Sequence, residues 1–256
     1  MALSIDKIAV IGTGVIGIGW IIRILAHNKK VVAFDLNQDQ KKILIKEIKR
    51  SLPIVKKLFK KKKINIKNLS FKSSLKEAVE KVDFIQECAT ENYKLKTKLL
   101  SDIGRYSKSK AIISSSSSGL LPSIIFSKCK NAERGVIGHP FNPVYMLPAV
   151  EVVPGKKTSK INLKKTSDFY KSISMHPILV KKELPGYLAD RLQEALWREG
   201  LHILNEGYAT TEDLDRVIEN GPGLRWSLMG TFLTFHLAGG KSGMKHMLKQ
   251  FGPALK

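Results

Sequence analysis

Cysteine is nearly absent from this chain. Cys88 and Cys129 are the whole complement, too few for a disulfide framework, so a reduced, cytoplasmic protein is expected. No apolar run reaches the length of a membrane span, and the opening Met-Ala-Leu-Ser-Ile-Asp-Lys holds no signal-type apolar segment. His, Cys and acidic residues nowhere fall at metal-ligand spacing, so no metal is expected. The serine run at 114–118 lacks the glycines of a nucleophile elbow, which argues against a hydrolase. There is no internal repeat.

Acids are also in short supply: 22 Asp and Glu face 44 Lys and Arg, a net charge of +22 over 256 residues. A nucleic-acid surface would concentrate Arg or interleave aromatics among the basic residues. Here the excess is lysine, in runs at 56–57, 60–63, 164–165 and 181–182. The expected reading is a solvated surface that draws in anionic cofactors and substrates, with no nucleic-acid or membrane partner.

The glycines present are well placed. An apolar strand at 7–11 runs into Gly12-Thr13-Gly14-Val15-Ile16-Gly17, a helix follows with Trp20, Ile21, Ile24 and Leu25 on its buried side, and a second strand at 31–34 ends at Asp35. Strand, glycine turn, helix, strand and acid at this spacing predict a dinucleotide site. Gly12 makes the turn, Gly14 admits a pyrophosphate, Gly17 lets helix and strand pack, and Val15 and Ile16 start the helix whose N-terminus faces the phosphates. Asp35 would bind ribose hydroxyls and repel a 2′-phosphate, and Leu36-Asn37 offers no arginine, which favours NAD over NADP.

Further alternation predicts a doubly wound, Rossmann-type parallel sheet: a lysine-rich helix over 38–63 interrupted near Pro53, a strand at 69–72, a helix at 74–81, strands at 82–89 and 111–114, and a last strand at 176–182. A helix opens at 90–92, and residues 114–118 read as an active-site loop. From Pro185 the pattern is helical only, including a helix over 187–205 and a start at Thr210-Thr-Glu-Asp-Leu. Two domains are therefore expected: 1–184 with the dinucleotide site, and a smaller all-helical 185–256.

His139 and Glu151 carry the chemistry. A histidine titrates near neutrality, and a carboxylate on its second nitrogen fixes its tautomer. Prolines 140, 143 and 148 shape the segment between them into a loop, and the apolar run at 149–153 has one acid set into it. An unpaired carboxylate there would be costly, and His139 is the candidate partner.

With these residues in view, the chain resembles the 3-hydroxyacyl-CoA dehydrogenase superfamily, through residues 12–20 (GTGVIGIGW), 89–96 (ATENYKLK), 114–122 (SSSSSGLLP), 138–153 (GHPFNPVYMLPAVEVV) and 185–196 (PGYLADRLQEAL). The resemblance implies a His139–Glu151 catalytic pair, Ser118 on the substrate oxygen, and Glu91, Lys96 and Asn142 in the cofactor and active-site shell. It also implies a homodimer built through the helical domain. The segments Ala195-Leu-Trp-Arg-Glu and 221–240 are similar to the branch that oxidises L-carnitine. The gulonate dehydrogenase and lambda-crystallin branch has a related segment, and a 3-hydroxyacyl-CoA substrate is the other alternative. Asp190 stands where the acyl-CoA enzymes usually carry asparagine, and the chain stops earlier than these relatives usually do, as a truncated one would.

Carnitine has a quaternary ammonium, which aromatic faces bind well. Tyr187, Trp197, Trp226, Phe232 and Phe235 lie in the last quarter beside Arg198 and Arg225, which suit a carboxylate. Trp197, Arg198, Arg225, Trp226 and Asp190 are the expected substrate residues. Phe232 and Phe235 are expected as helical core, and His27, His176, His202, His236 and His246 as structural.

Overall fold

The structure, a computed structural model, describes residues 5–61 and 64–254. Met1–Arg191 and Leu192–Lys256 form two compact units. The first holds β1 (Lys7–Ile11), α1 (Val15–Ala26), β2 (Lys30–Phe34), α2 (Gln40–Leu58), β3 (Leu69–Lys72), α3 (Leu75–Val79), β4 (Phe84–Glu87), α4 (Tyr93–Tyr106), β5 (Ile112–Ser115), α5 (Pro122–Ile125), β6 (Gly135–Pro140), β7 (Ala149–Pro154), α6 (Lys160–Ser172) and β8 (His176–Leu179).

The strands form one sheet in the order β3-β2-β1-β4-β5-β6-β7-β8. β1 lies between β2 and β4, so the strand order reverses beside it, and a crevice at the carboxyl ends of the strands results. Side chains alternate across the sheet. Ile8, Val10, Val31 and Ala33 meet α1, α2 and α6 on one face, while Ala9, Ile11, Val32 and Phe34 meet α3, α4 and α5 on the other. Both faces are covered, which is why these strands are continuously apolar.

The doubly wound, predominantly parallel sheet is as expected, with one antiparallel pair: β7 runs antiparallel to β6, and β8 is parallel to β7. Residues 141–148 are too few for a crossover helix, so the chain can only return as a hairpin. The long helix is not interrupted: α2 passes through Pro53 and stops at Leu58, and Lys62 and Lys63 of the expected 38–63 helix lie outside the described residues. The helix expected from Tyr187 begins two residues later, because Tyr187 takes a left-handed backbone (φ 42°).

The second unit is helical: α7 (Ala189–Asn205) continues into it, followed by α8 (Thr211–Asn220), α9 (Pro222–Trp226), α10 (Thr231–Ala238) and α11 (Gly243–Phe251). Thr210 and Asp213 form a reciprocal capping box at the start of α8. His236 Nδ1 accepts from Met244 N, the structural task expected of it. Among the described residues of this unit only Gly239 and Gly243 are buried, so Phe232, 84% exposed, and Phe235 are not core as expected.

Candidate active site

The glycine turn is built as its residue types require. Gly12 sits at φ +91°, where a Cβ would stand 2.7 Å from Cys88 O, and a Cβ on Gly17 would stand 1.9 Å from Gly12 O. Only glycine satisfies both. Gly14 faces open space. It caps α1 without any side-chain hydrogen bond, and no acid lies in the first turn, so the N–H groups around exposed Val15 and half-buried Ile16 are offered to an anion. Asp35, at the end of β2, accepts at Oδ2 from Thr13 N (2.7 Å) and Thr13 Oγ1 (2.9 Å) and at Oδ1 from Asn37 N (3.0 Å). Its carboxylate has acceptor capacity beyond these bonds. These residues fit a dinucleotide: α1 would hold the pyrophosphate and Asp35 a ribose.

His139, the penultimate residue of β6, is the cross-strand partner of Glu151 on β7. Nδ1 lies 2.9 Å from Glu151 Oε2, and both side chains are buried. Glu151 Oε1 accepts from Leu188 N (2.9 Å) and Ala189 N (3.0 Å) at the start of α7. Burial alone would raise the Glu151 carboxyl. The bonds from His139, Leu188 and Ala189 outweigh it and hold the group below its ordinary value, hence ionised. With Nδ1–H donated to that carboxylate, neutral His139 carries its lone pair on Nε2, which makes no hydrogen bond among the described residues. One ring nitrogen is thus committed to Glu151 and the other has no partner among the described residues, an arrangement that suits a general base.

The serine loop is held by two carboxylates, exposed Glu91 and buried Glu87. Glu91 Oε1 accepts from Ser117 Oγ, Ser118 N (3.1 Å) and Gly119 N (3.3 Å). Lys96 is expected at the cofactor, but the structure gives it an internal task. It is 1% exposed and donates to both oxygens of Glu87 (2.8 and 2.9 Å) and to Ala89 O (2.9 Å), with Glu91 Oε2 at 3.5 Å. Buried ammonium needs such partners. Glu87, which also accepts from Ser115 Oγ and Ala89 N, was missed by the sequence reasoning. Its signal was available: an acid inside the apolar run 82–89 needs a partner for the reason that Glu151 does.

Thus His139 and Glu151 are bonded to each other, Ser118, Glu91 and Lys96 form one network, and the glycine turn is tied to Asp35 through Thr13. Asn142 is exposed just beyond β6, and half-buried Asp190 lies in the first turn of α7, next to the two N–H groups that bind Glu151. Tyr187 is not an exposed aromatic face. It is fully buried, its hydroxyl donates to Leu120 O (2.7 Å), and its ring lies 5.8 Å from that of His139. Trp197 (67% exposed) and Arg198 lie on α7. Arg225 and Trp226 (40% exposed) close α9.

Residues 7–184 match the family model for the 3-hydroxyacyl-CoA dehydrogenase NAD binding domain, and residues 186–255 match that for its C-terminal domain. The chain belongs to the 3-hydroxyacyl-CoA dehydrogenase family. It is an NAD-dependent dehydrogenase, with NAD as cofactor. An L-carnitine dehydrogenase of Bacillus cereus is 49% identical over 253 residues, 99% of this chain and 78% of that relative. One from Pseudomonas putida is 48% identical, over 99% and 79% respectively. Among solved structures, the NAD+-dependent dismutase 5-formyl-3-hydroxy-2-methylpyridine 4-carboxylic acid 5-dehydrogenase has a TM-score of 0.89 at 25% identity, covering 97% of this chain and 80% of that one. A (S)-3-hydroxybutyryl-CoA dehydrogenase from Ralstonia eutropha has a TM-score of 0.77 at 25% identity, over 96% and 85%. No helix among the described residues is long and apolar enough to cross a membrane.

Proposed function

We propose that this chain oxidises the 3-hydroxyl of L-carnitine to 3-dehydrocarnitine with NAD+. The observation that carries the chemistry is the buried His139–Glu151 pair, with Nε2 left as a base; the identity of close to half with L-carnitine dehydrogenases supports the substrate. The cofactor, when bound, supplies the two-electron acceptor. His139 Nε2 takes the hydroxyl proton, Glu151 orients the ring and stabilises the imidazolium, and the Ser118 hydroxyl holds the substrate oxygen. The Glu91–Lys96–Glu87 chain keeps the serine loop in place for that task. Gly12 and Gly17 shape the cofactor turn, Gly14, Val15 and Ile16 would hold the pyrophosphate at the start of α1, Asp35 would select NAD over NADP, and Asn142 belongs to the same shell.

Trp226 and Trp197 supply aromatic faces for the trimethylammonium, Arg225 or Arg198 binds the carboxylate, and Asp190 favours a cationic neighbour. The family matches, ending at 184 and resuming at 186, support domains 1–184 and 185–256. The apolar residues left exposed on the helical unit, Leu228 and Phe232 among them, support a homodimer covering them with a second copy. Free Cys88 and Cys129 support a cytoplasmic location.

NADH formation with L-carnitine, L-gulonate and 3-hydroxybutyryl-CoA, measured side by side, tests the substrate. Carnitine is expected to have the highest kcat/KM. Faster turnover of either alternative overturns the assignment.

A further inference from the structure

Gln86 touches both segments that carry the proposed reaction. It is buried in β4, and its Nε2 donates to Ser116 Oγ (2.8 Å) and to Gly138 O (3.4 Å). Ser116 stands two residues before Ser118, and Gly138 immediately precedes His139. One amide therefore spans the gap between the serine loop and the histidine strand.

Its orientation is set by Gly138 O, which can only accept, and the donor directions of the neighbouring hydroxyls follow from it. Tyr170 Oη donates its single proton to Gln86 Oε1 (2.7 Å), so Ser114 Oγ, also 2.7 Å from that phenol, is the donor to it. Burial pushes the Tyr170 phenol upward against the lowering effect of its bonds to Ser114 and Gln86, so it stays protonated. On the other side, Ser116 Oγ accepts from Gln86 and from Trp20 Nε1 (3.0 Å), which leaves its own proton for Cys88 Sγ at 3.3 Å. Burial raises that thiol to about 12, so it is an uncharged acceptor. The donors run in one direction, from Ser114 through Tyr170, Gln86 and Ser116 to Cys88. Even the missing side chain at Gly138 belongs to the arrangement, since a Cβ there would stand 1.8 Å from Tyr170 Oη and 2.6 Å from Ser114 Oγ.

We propose that Gln86 is a positioning residue, fixing the separation of Ser118 and His139 by bridging Ser116 and Gly138. The inference rests on the roles assigned to Ser118 and His139 above. Flipping the amide would set Oε1 against Gly138 O, two acceptors facing each other, so only the observed orientation satisfies that carbonyl together with the hydroxyls. An apolar side chain of similar size would fill the space and leave the two segments untied.

Gln86→Leu, Ser116→Ala, their double variant and His139→Ala are compared for kcat, KM, NADH affinity by fluorescence, and Tm. Displacement of a reacting group by about 1 Å costs about a hundredfold, so Gln86→Leu should lose about ten- to a hundredfold in kcat with NADH affinity unchanged. Because both residues act through one bond, the double variant should be no slower than Gln86→Leu alone. Full kcat in Gln86→Leu, or losses that multiply in the double variant, overturns the proposal. Should Gln86→Leu not fold, Tyr170→Phe replaces it in the same cycle, with the same two outcomes. His139→Ala separates the levels. If it retains turnover, the reading beneath falls and takes this one with it. If it loses turnover while Gln86→Leu does not, only the role of Gln86 falls.

Discussion

The two units of this chain treat their apolar residues in opposite ways. The sheet unit buries strands and helices on both faces and, within that core, ties down charged and polar side chains: Lys96 on Glu87, His139 on Glu151, Gln86 on Ser116 and Gly138. The helical unit has well-formed helices, one of them opened by a capping box, yet among its described residues only two glycines are buried. Regular local structure and a finished core are separate achievements. Amphipathic periodicity produces the first, and the second needs something to cover the stripe. The sheet unit finds its cover within its own sequence, so its site can be derived residue by residue. On the helical unit, the proposed substrate residues are exposed side chains whose roles must be tested.

The largest expected effect is in the sheet unit. Removing a positioned base costs about 10²–10⁴-fold, so His139→Ala should lose kcat in that range while NADH still binds; a variant with near-normal turnover would remove the base from the mechanism. The helical unit is next. A desolvated cation–aromatic contact is worth about 2 kcal/mol, roughly thirtyfold in affinity, so Trp226→Leu should raise the KM for carnitine by that order and leave the KM for NAD+ alone. An unchanged carnitine KM would take Trp226 out of the site.

The third effect is on assembly. If a second copy covers the exposed helices, Phe232→Glu should shift the light-scattering mass from dimer toward monomer; wild type already monomeric at working concentration would refute the dimer. The smallest effect concerns pH. The Glu151 carboxyl is held below its ordinary 4.5 when folded, so its stabilising contribution is present above that pH and is lost as pH falls through the folded value. Glu151→Gln should lack this component, making its Tm less steeply dependent on pH below about 4.5. Parallel Tm curves for wild type and variant would show that the carboxylate contributes none.

Much of the site was legible because short-range rules dictate it. The glycine turn, Asp35 and the pairing of Glu151 with His139 follow from backbone sterics and the cost of a lone buried acid. The same rule applied at 82–89 would have found Glu87, but Lys96 has both Glu87 and Glu91 within reach, and which one it binds more closely is not encoded by spacing. Gln86 left no comparable signal, since a neutral amide in an apolar strand has no obligatory partner type. Tyr187 misled for a related reason: aromatic residues serve equally as core and as binding face, and burial decides between them.

By itself the sequence determined the alternation of strands and helices, the dinucleotide turn and the identity of the His–Glu pair, because these depend on residue type and on separations of a few residues. The tertiary structure alone decided the register in which β7 pairs with β6, so that His139 and Glu151 meet. It also placed the start of α7 on the second oxygen of Glu151, turned Lys96 inward, and joined the serine loop to the histidine strand through one buried amide. Those outcomes rest on contacts between segments far apart in the chain, where the register and depth of packing, rather than residue type, set each side chain's partner.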